Sequence, residues 1–160
     1  MPAMVDHEIQ VDAAYSQFYF QDSEPRGNTG DPSFWTEEAS ARRLAIIDGI
    51  IGIGASTNGL VKVRVEEHDA EPELDLTQWD HVTECSLDIR SKFILIVGCL
   101  EQSGLFFQVV PGCFRVRVCH ANLAESEQEV PSDWQGDFRD WYLVQFWPGT
   151  PTEPRVLKQR

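Results

Sequence analysis

A chain of 160 residues, 42% hydrophobic and 24% charged, is long enough to bury one core and too apolar to be disordered throughout. Its 26 aspartates and glutamates outnumber 13 lysines and arginines. The resulting net charge of −13 makes nucleic acid and anionic membranes poor partners, since both repel such a surface at long range.

The elements follow in chain order. Residues 8–20 alternate and are rich in β-formers (Ile9, Val11, Tyr15, Phe18), which predicts one long strand bent near Asp12-Ala13-Ala14. Residues 21–33, broken by Pro25, Gly27, Asn28, Gly30 and Pro32, predict loop. Residues 36–47 predict the one helix, with Thr36 as its cap, Glu37 and Glu38 at the positive end of the dipole, and Phe34 or Trp35 stapled against its first turns. Asp48-Gly49 ends it. Residues 50–55 then pair through an Asn58-Gly59 turn with residues 60–67, a predicted hairpin. There Val61, Val63 and Val65 face a core, and Lys62, Arg64 and Glu66 face water. Four β-like runs follow, at 79–89, 92–100, 105–110 and 114–120. The closing strand spans 138–147 and stops at Pro148-Gly149, and residues 150–160 are expected to be a frayed tail.

About eight short strands and one helix predict a mainly β fold: an antiparallel β-sandwich, C2-like or jelly-roll-like, forming one domain over residues 1–149. No internal repeat is present. The N-terminus lacks the basic and apolar regions of a signal peptide, and the longest apolar run is too short to span a bilayer, so a cytoplasmic protein is expected.

Little in the sequence points to catalysis. Gly49, Gly52 and Gly54 imitate a phosphate loop, but the lysine and the following helix that would complete one are missing. Glycines in a strand are better explained by close packing against the helix. His7, His68, His81 and His120 have no neighbouring acid–base pattern and are expected to be surface groups. The cysteines Cys85, Cys99, Cys113 and Cys119 include no Cys-x-x-Cys pair. Cys99, Cys113 and Cys119 sit among apolar strand residues and are expected to be buried thiols. Cys119 and His120, adjacent in a strand, point to opposite faces and do not make a ligand pair. No cofactor or metal is therefore expected, and the chain is read as a non-enzyme.

Acidic side chains dominate two loops. Glu66, Glu67, Asp69, Glu71, Glu73 and Asp75 fall within ten residues with no lysine or arginine between them. An EF-hand starting at Asp69 would need glycine where Leu74 stands. Glu125, Glu127 and Glu129 begin the second acidic loop. These clusters read either as solvated loops or as a docking surface for a cationic partner, whose approach they would speed. Trp141 lies on the closing strand, on a face that is either covered or open to a partner.

The order of certain residues resembles the competence protein J, or DNA-entry nuclease inhibitor, family. The carrying blocks are Tyr15-Ser16-Gln17-Phe18 with Asp22, Trp35-Thr36-Glu37-Glu38-Ala39, Ala45 with Asp48-Gly49, Val110-Pro111-Gly112 with Phe114-Arg115-Val116, and Trp141-Tyr142-Leu143-Val144. The resemblance implies an intracellular, β-rich protein that inhibits a DNA-entry nuclease. The combined expectation is an acidic inhibitor or immunity-type protein that binds a basic protein such as a nuclease, without nucleic acid or membrane binding, and with self-association left open. The alternative is a C2-like or lectin-like module that binds calcium or a small ligand through its loops.

Overall fold

The computed structural model describes residues 3–126 and 139–160, with the side chains of residues 125 and 126 excepted. Its strands are β1 (Val5–Ala13), β2 (Gln17–Asp22), β3 (Leu44–Ile47), β4 (Ile50–Gly54), β5 (Gly59–Glu67), β6 (His81–Ile89), β7 (Phe93–Gly98), β8 (Leu105–Gln108), β9 (Gly112–Ala121), β10 (Trp141–Pro148) and β11 (Arg155–Lys158). Two short helices, α1 (Glu37–Arg42) and α2 (Leu123–Ser126), accompany them. The six-stranded sheet has the order β1-β5-β10-β9-β6-β11, and the five-stranded sheet β3-β4-β2-β7-β8. Every pair is antiparallel except β5 with β10. The expected β-sandwich is the fold observed.

Alternation builds the space between the sheets. Val61, Val63 and Val65 of β5, Val116 and Val118 of β9, and Tyr142, Val144 and Phe146 of β10 point inward. They meet Phe18 and Phe20 of β2, Ile51 and Ile53 of β4, and Ile94 and Ile96 of β7. Each sheet also has a covered outer face. On the five-stranded sheet, Tyr19, Ala45, Ile50 and Val97 lie under Phe34 and Ala39. On the six-stranded sheet, Val82, Cys119 and Leu143 lie with Trp79, Leu74 and Leu157. Gly52 makes the first of these covers possible, because a Cβ there would stand 2.7 Å from the Phe34 ring.

Several sequence-based expectations change. The single strand over residues 8–20 is two strands in different sheets. Ala14–Ser16 carries the chain across, with Tyr15 and Ser16 both in the left-handed region at φ 57° and 56°. Thr36 does cap α1 by accepting from the Ala39 N–H at 3.1 Å. However, the helix stops at Arg43, which is itself left-handed, and Leu44–Ile47 becomes β3. The β-branched Ile46 and Ile47 pair with β4 through the Asp48-Gly49 turn, where Gly49 takes φ +85°. Residues 50–67 are not a hairpin, since β4 pairs with β2 and β3 while β5 pairs with β1 and β10. The Asn58-Gly59 turn thus joins the two sheets. The tail is not frayed over its whole length, because β11 adds to the edge of β6.

The remaining corrections concern single side chains. His68, His81 and His120 are buried rather than at the surface, and Cys99 and Cys113 are only half-buried, whereas Cys119 is buried as expected and so is Cys85. Burial pushes the Cys85 and Cys119 thiols up to about 12, which keeps them protonated and unreactive.

Candidate functional site

The first acidic stretch leaves the end of β5 and runs outside the six-stranded sheet to the start of β6. Beneath it, the outward-facing residues of four strands form a charged network. Glu84 of β6 is 1% exposed and accepts from three arginines: Arg115 Nη2 at 2.9 Å, Arg117 Nε at 3.0 Å and Arg155 Nη2 at 2.9 Å. Burial alone would raise its pKa, but the bonds from Arg155 and Arg117 outweigh burial and hold the carboxyl below its usual range. Arg117 also donates to the Pro72 carbonyl at 2.9 Å and to Gln145 Oε1 at 3.2 Å, and lies over the Trp147 ring at 5.0 Å. Gln145 Nε2 in turn donates to Glu66 Oε1 at 3.0 Å.

This network divides the acidic residues into two groups. Glu66 is held by Gln145, by His68 Nε2 at 2.9 Å and by Arg64 Nε at 3.2 Å. Glu71 lies 3.9 Å from Arg117 Nη2. Asp75 caps the short turn Leu76–Gln78 by accepting from Thr77. Glu67, Asp69 and Glu73, by contrast, make no ion pair or side-chain hydrogen bond among the described residues. Burial raises the Glu67 pKa, whereas Asp69 and Glu73 are exposed.

The loop and the sheet enclose an open concavity of about 630 Å³, with Glu66, Asp69, Glu71 and Glu73 in its walls and no lysine or arginine among the described residues that line it. A surface of this kind can seat a cationic side chain, since the arginines that fix the loop lie beneath the carboxylates. The other candidate residues are not brought to it. Trp141 is half-buried against Trp79, with ring centroids 4.9 Å apart. Glu125 belongs to α2 by its backbone, and Glu127 and Glu129 lie outside the described residues.

Sequence reasoning missed a second polar assembly, at the opposite end of β5. His81 and His120 face each other across β6 and β9, with ring centroids 5.0 Å apart. His120 also stacks edge-on to Tyr142 at 5.0 Å. His81 Nε2 donates to the Arg42 carbonyl at 2.8 Å, but neither nitrogen of His120 finds a partner. Burial lowers the pKa of both imidazoles, well below the usual value for His120, so both are neutral. Buried Asp140 accepts from the Tyr142 hydroxyl, the Thr57 hydroxyl and the Ser56 and Thr57 N–H groups, fixing the β4–β5 crossover. Burial, followed by the Asp140 charge, raises the tyrosine pKa. No local spacing announces this group, because its members come from strands up to about 85 residues apart and meet only through register.

Above it opens a pocket of about 480 Å³, lined by Tyr15, Ser16, Gln17, Trp35, Ser40 and Arg43 among others. Trp35 Nε1 and the Tyr19 hydroxyl both donate to Gln17 Oε1, at 2.9 Å and 2.8 Å. Residues 15–17 and 35, distant in the chain, therefore converge here.

No protein-family model matches the chain, and no curated protein matches it in sequence. Two solved structures share its fold. One is the crocagin biosynthetic gene J product, with a TM-score of 0.59 at 18% identity over 92% of this chain and 100% of that one. The other is ComJ from Bacillus subtilis, an inhibitor of the DNA-degrading activity of NucA, which this chain matches with a TM-score of 0.64 at 17% identity over 92% of its own length and 97% of ComJ.

Proposed function

We propose that this chain is a non-catalytic inhibitor that binds a basic protein, in the first instance a nuclease, through the acidic concavity on its six-stranded sheet. The observation that carries the reading is the pairing of a ComJ-like fold with a concavity walled by four carboxylates and, among the described residues, lined by no lysine or arginine. An enzyme that grips DNA has a cationic groove, and carboxylates on a rigid support can fill it. The support here is the Glu84–arginine network, which ties the Pro72 carbonyl and Glu66 to the sheet. Since Glu66 and Glu71 are already engaged, Asp69 and Glu73 are assigned the direct contacts, with Glu67 behind them. At 17% identity ComJ supports a nuclease as the class of partner and does not name NucA as the one this chain binds.

The test is a DNA-degradation assay. Purified chain is titrated into NucA and into a basic nuclease recovered on the immobilised chain from its host. Stoichiometric loss of DNA cleavage by the recovered nuclease, without proteolysis, is the expected result. Unchanged cleavage by both enzymes at saturating chain would contradict the proposal.

A further inference from the structure

The pocket at the Tyr15 end has no part in the acidic docking surface, and its backbone is unusual. Among the described residues, four non-glycine positions have positive φ: Tyr15, Ser16, Arg43 and Asn122. Three of them line this one pocket. The left-handed region costs free energy wherever a Cβ is present, so it persists only where the surroundings impose it. Here they do. Asn58 Oδ1 accepts from the Tyr15 N–H at 3.0 Å, the Ser16 carbonyl accepts from the Ala55 N–H at 2.8 Å, and the Ala14 carbonyl accepts from Cys99 Sγ at 3.2 Å. The strain yields no packing for Tyr15, which is 71% exposed. The two left-handed residues carry the chain from one sheet to the other, and the crossing leaves the Tyr15 ring exposed beside the pocket.

The lining chemistry is donor-rich. Gln17 Oε1 is occupied by Trp35 and Tyr19, which leaves its amide nitrogen to donate. Ser16 and Ser40 add hydroxyls, and Arg43 is positioned by its Nη1 bond to Ser56 Oγ at 3.1 Å. Ser56 is itself fixed by Asp140 and Tyr142. Among the described residues that line the pocket none is an aspartate or a glutamate, although the chain carries a net charge of −13. A volume of about 480 Å³ suits a small molecule.

We infer that this pocket binds a small molecule made of a planar ring bearing an oxyanion, with the ring against Tyr15 and the oxyanion toward Arg43 and the Ser16 and Ser40 hydroxyls. Guanidinium and hydroxyl donors match phosphate and carboxylate alike, so a nucleotide and an aryl carboxylate share the required chemistry.

Adenosine monophosphate and phenylacetate separate these two sources when each is titrated into ¹⁵N-labelled chain and followed by NMR. Saturable shifts at the amides of Tyr15, Ser16, Ser40 and Gly54 with either probe support the site, and the probe that gives them names the source. Arg43→Gln and Tyr15→Gly should each weaken that binding at least about tenfold. Tyr15→Gly removes the left-handed strain and should melt higher than the wild type, which separates a lost ligand contact from a lost fold. The inference is overturned if neither probe shifts these amides at up to about 10 mM, or if both variants bind as the wild type does.

Discussion

Glu84 and His120 lie on neighbouring strands of the same sheet, both buried, and they are accommodated in opposite ways. Glu84 keeps its charge, because three guanidinium groups surround it. His120 stays neutral, its ring packed edge-on with His81 and with Tyr142, and neither of its nitrogens has a hydrogen-bond partner. A buried ion must be paired or it neutralises, whereas an imidazole can shed its proton and remain inside at the cost of unmade hydrogen bonds. The outer face of the six-stranded sheet is therefore a rigid charged platform on which the acidic loop is mounted, and the space between the sheets at the other end is a titratable one.

The largest expected effect comes from unbalancing the platform. Glu84→Gln leaves three arginines around a neutral group and should cost about 3–5 kcal/mol, the usual penalty for removing one partner of a buried ion pair. Urea denaturation measures it. A loss below about 1 kcal/mol, the range of surface pairs, would mean that solvent already screens the cluster.

Acidification probes the titratable end. Because His81 and His120 have folded-state pKa values lowered by burial, the unfolded chain binds more protons than the native one below the ordinary imidazole value of 6.5. Their contribution is complete above that pH and is lost as the pH falls, with a slope of at most about 1.4 kcal/mol per pH unit for each histidine. The carboxyls held below their ordinary range, Asp22 and Glu84, act later in the same direction. Burial would raise the Asp22 pKa, but hydrogen bonds from Ser91, Glu24 and Arg90 outweigh it and hold the carboxyl at about 2, so its share is lost only below the ordinary 3.8. His120→Phe should remove one proton's worth of slope between pH 6 and 5 in urea denaturation at a series of pH values. At neutral pH it should cost little, since a ring of similar shape replaces two unsatisfied nitrogens. An unchanged slope would show that His120 is not the titrating group.

Reading the sequence reached the platform's surface but not its foundation. The valines of β5, the Thr36 cap and the run of carboxylates at 66–75 were legible because each signal is local: a period of two, a cap followed by acidic residues, a charge run. The arginines that support the loop sit in β9 and β11, more than 40 residues from Pro72, and only sheet register brings them under it. The pattern of Leu44-Ala45-Ile46-Ile47 suits helix and strand alike, and pairing with β4 decides for a strand. Asn58-Gly59 marks a turn by its local chemistry, but that chemistry does not say which strand the next one pairs with, and β5 joins the other sheet. β11, four residues after Pro154, is too short for a period to show in the sequence.

The central claim is that Asp69 and Glu73 are presented to a cationic partner while the arginine network holds their loop. Both are exposed and without a partner among the described residues, so Asp69→Lys with Glu73→Lys should leave the urea midpoint nearly unchanged, as exposed substitutions usually stay within about 0.5 kcal/mol. The most direct measurement is the association rate of wild type and this double variant with the recovered nuclease, across a salt series. The account predicts a wild-type rate that falls steeply with ionic strength, and a variant rate that is at least about tenfold slower at low salt and nearly flat. Equal rates for the two proteins, with no dependence on salt, would contradict it.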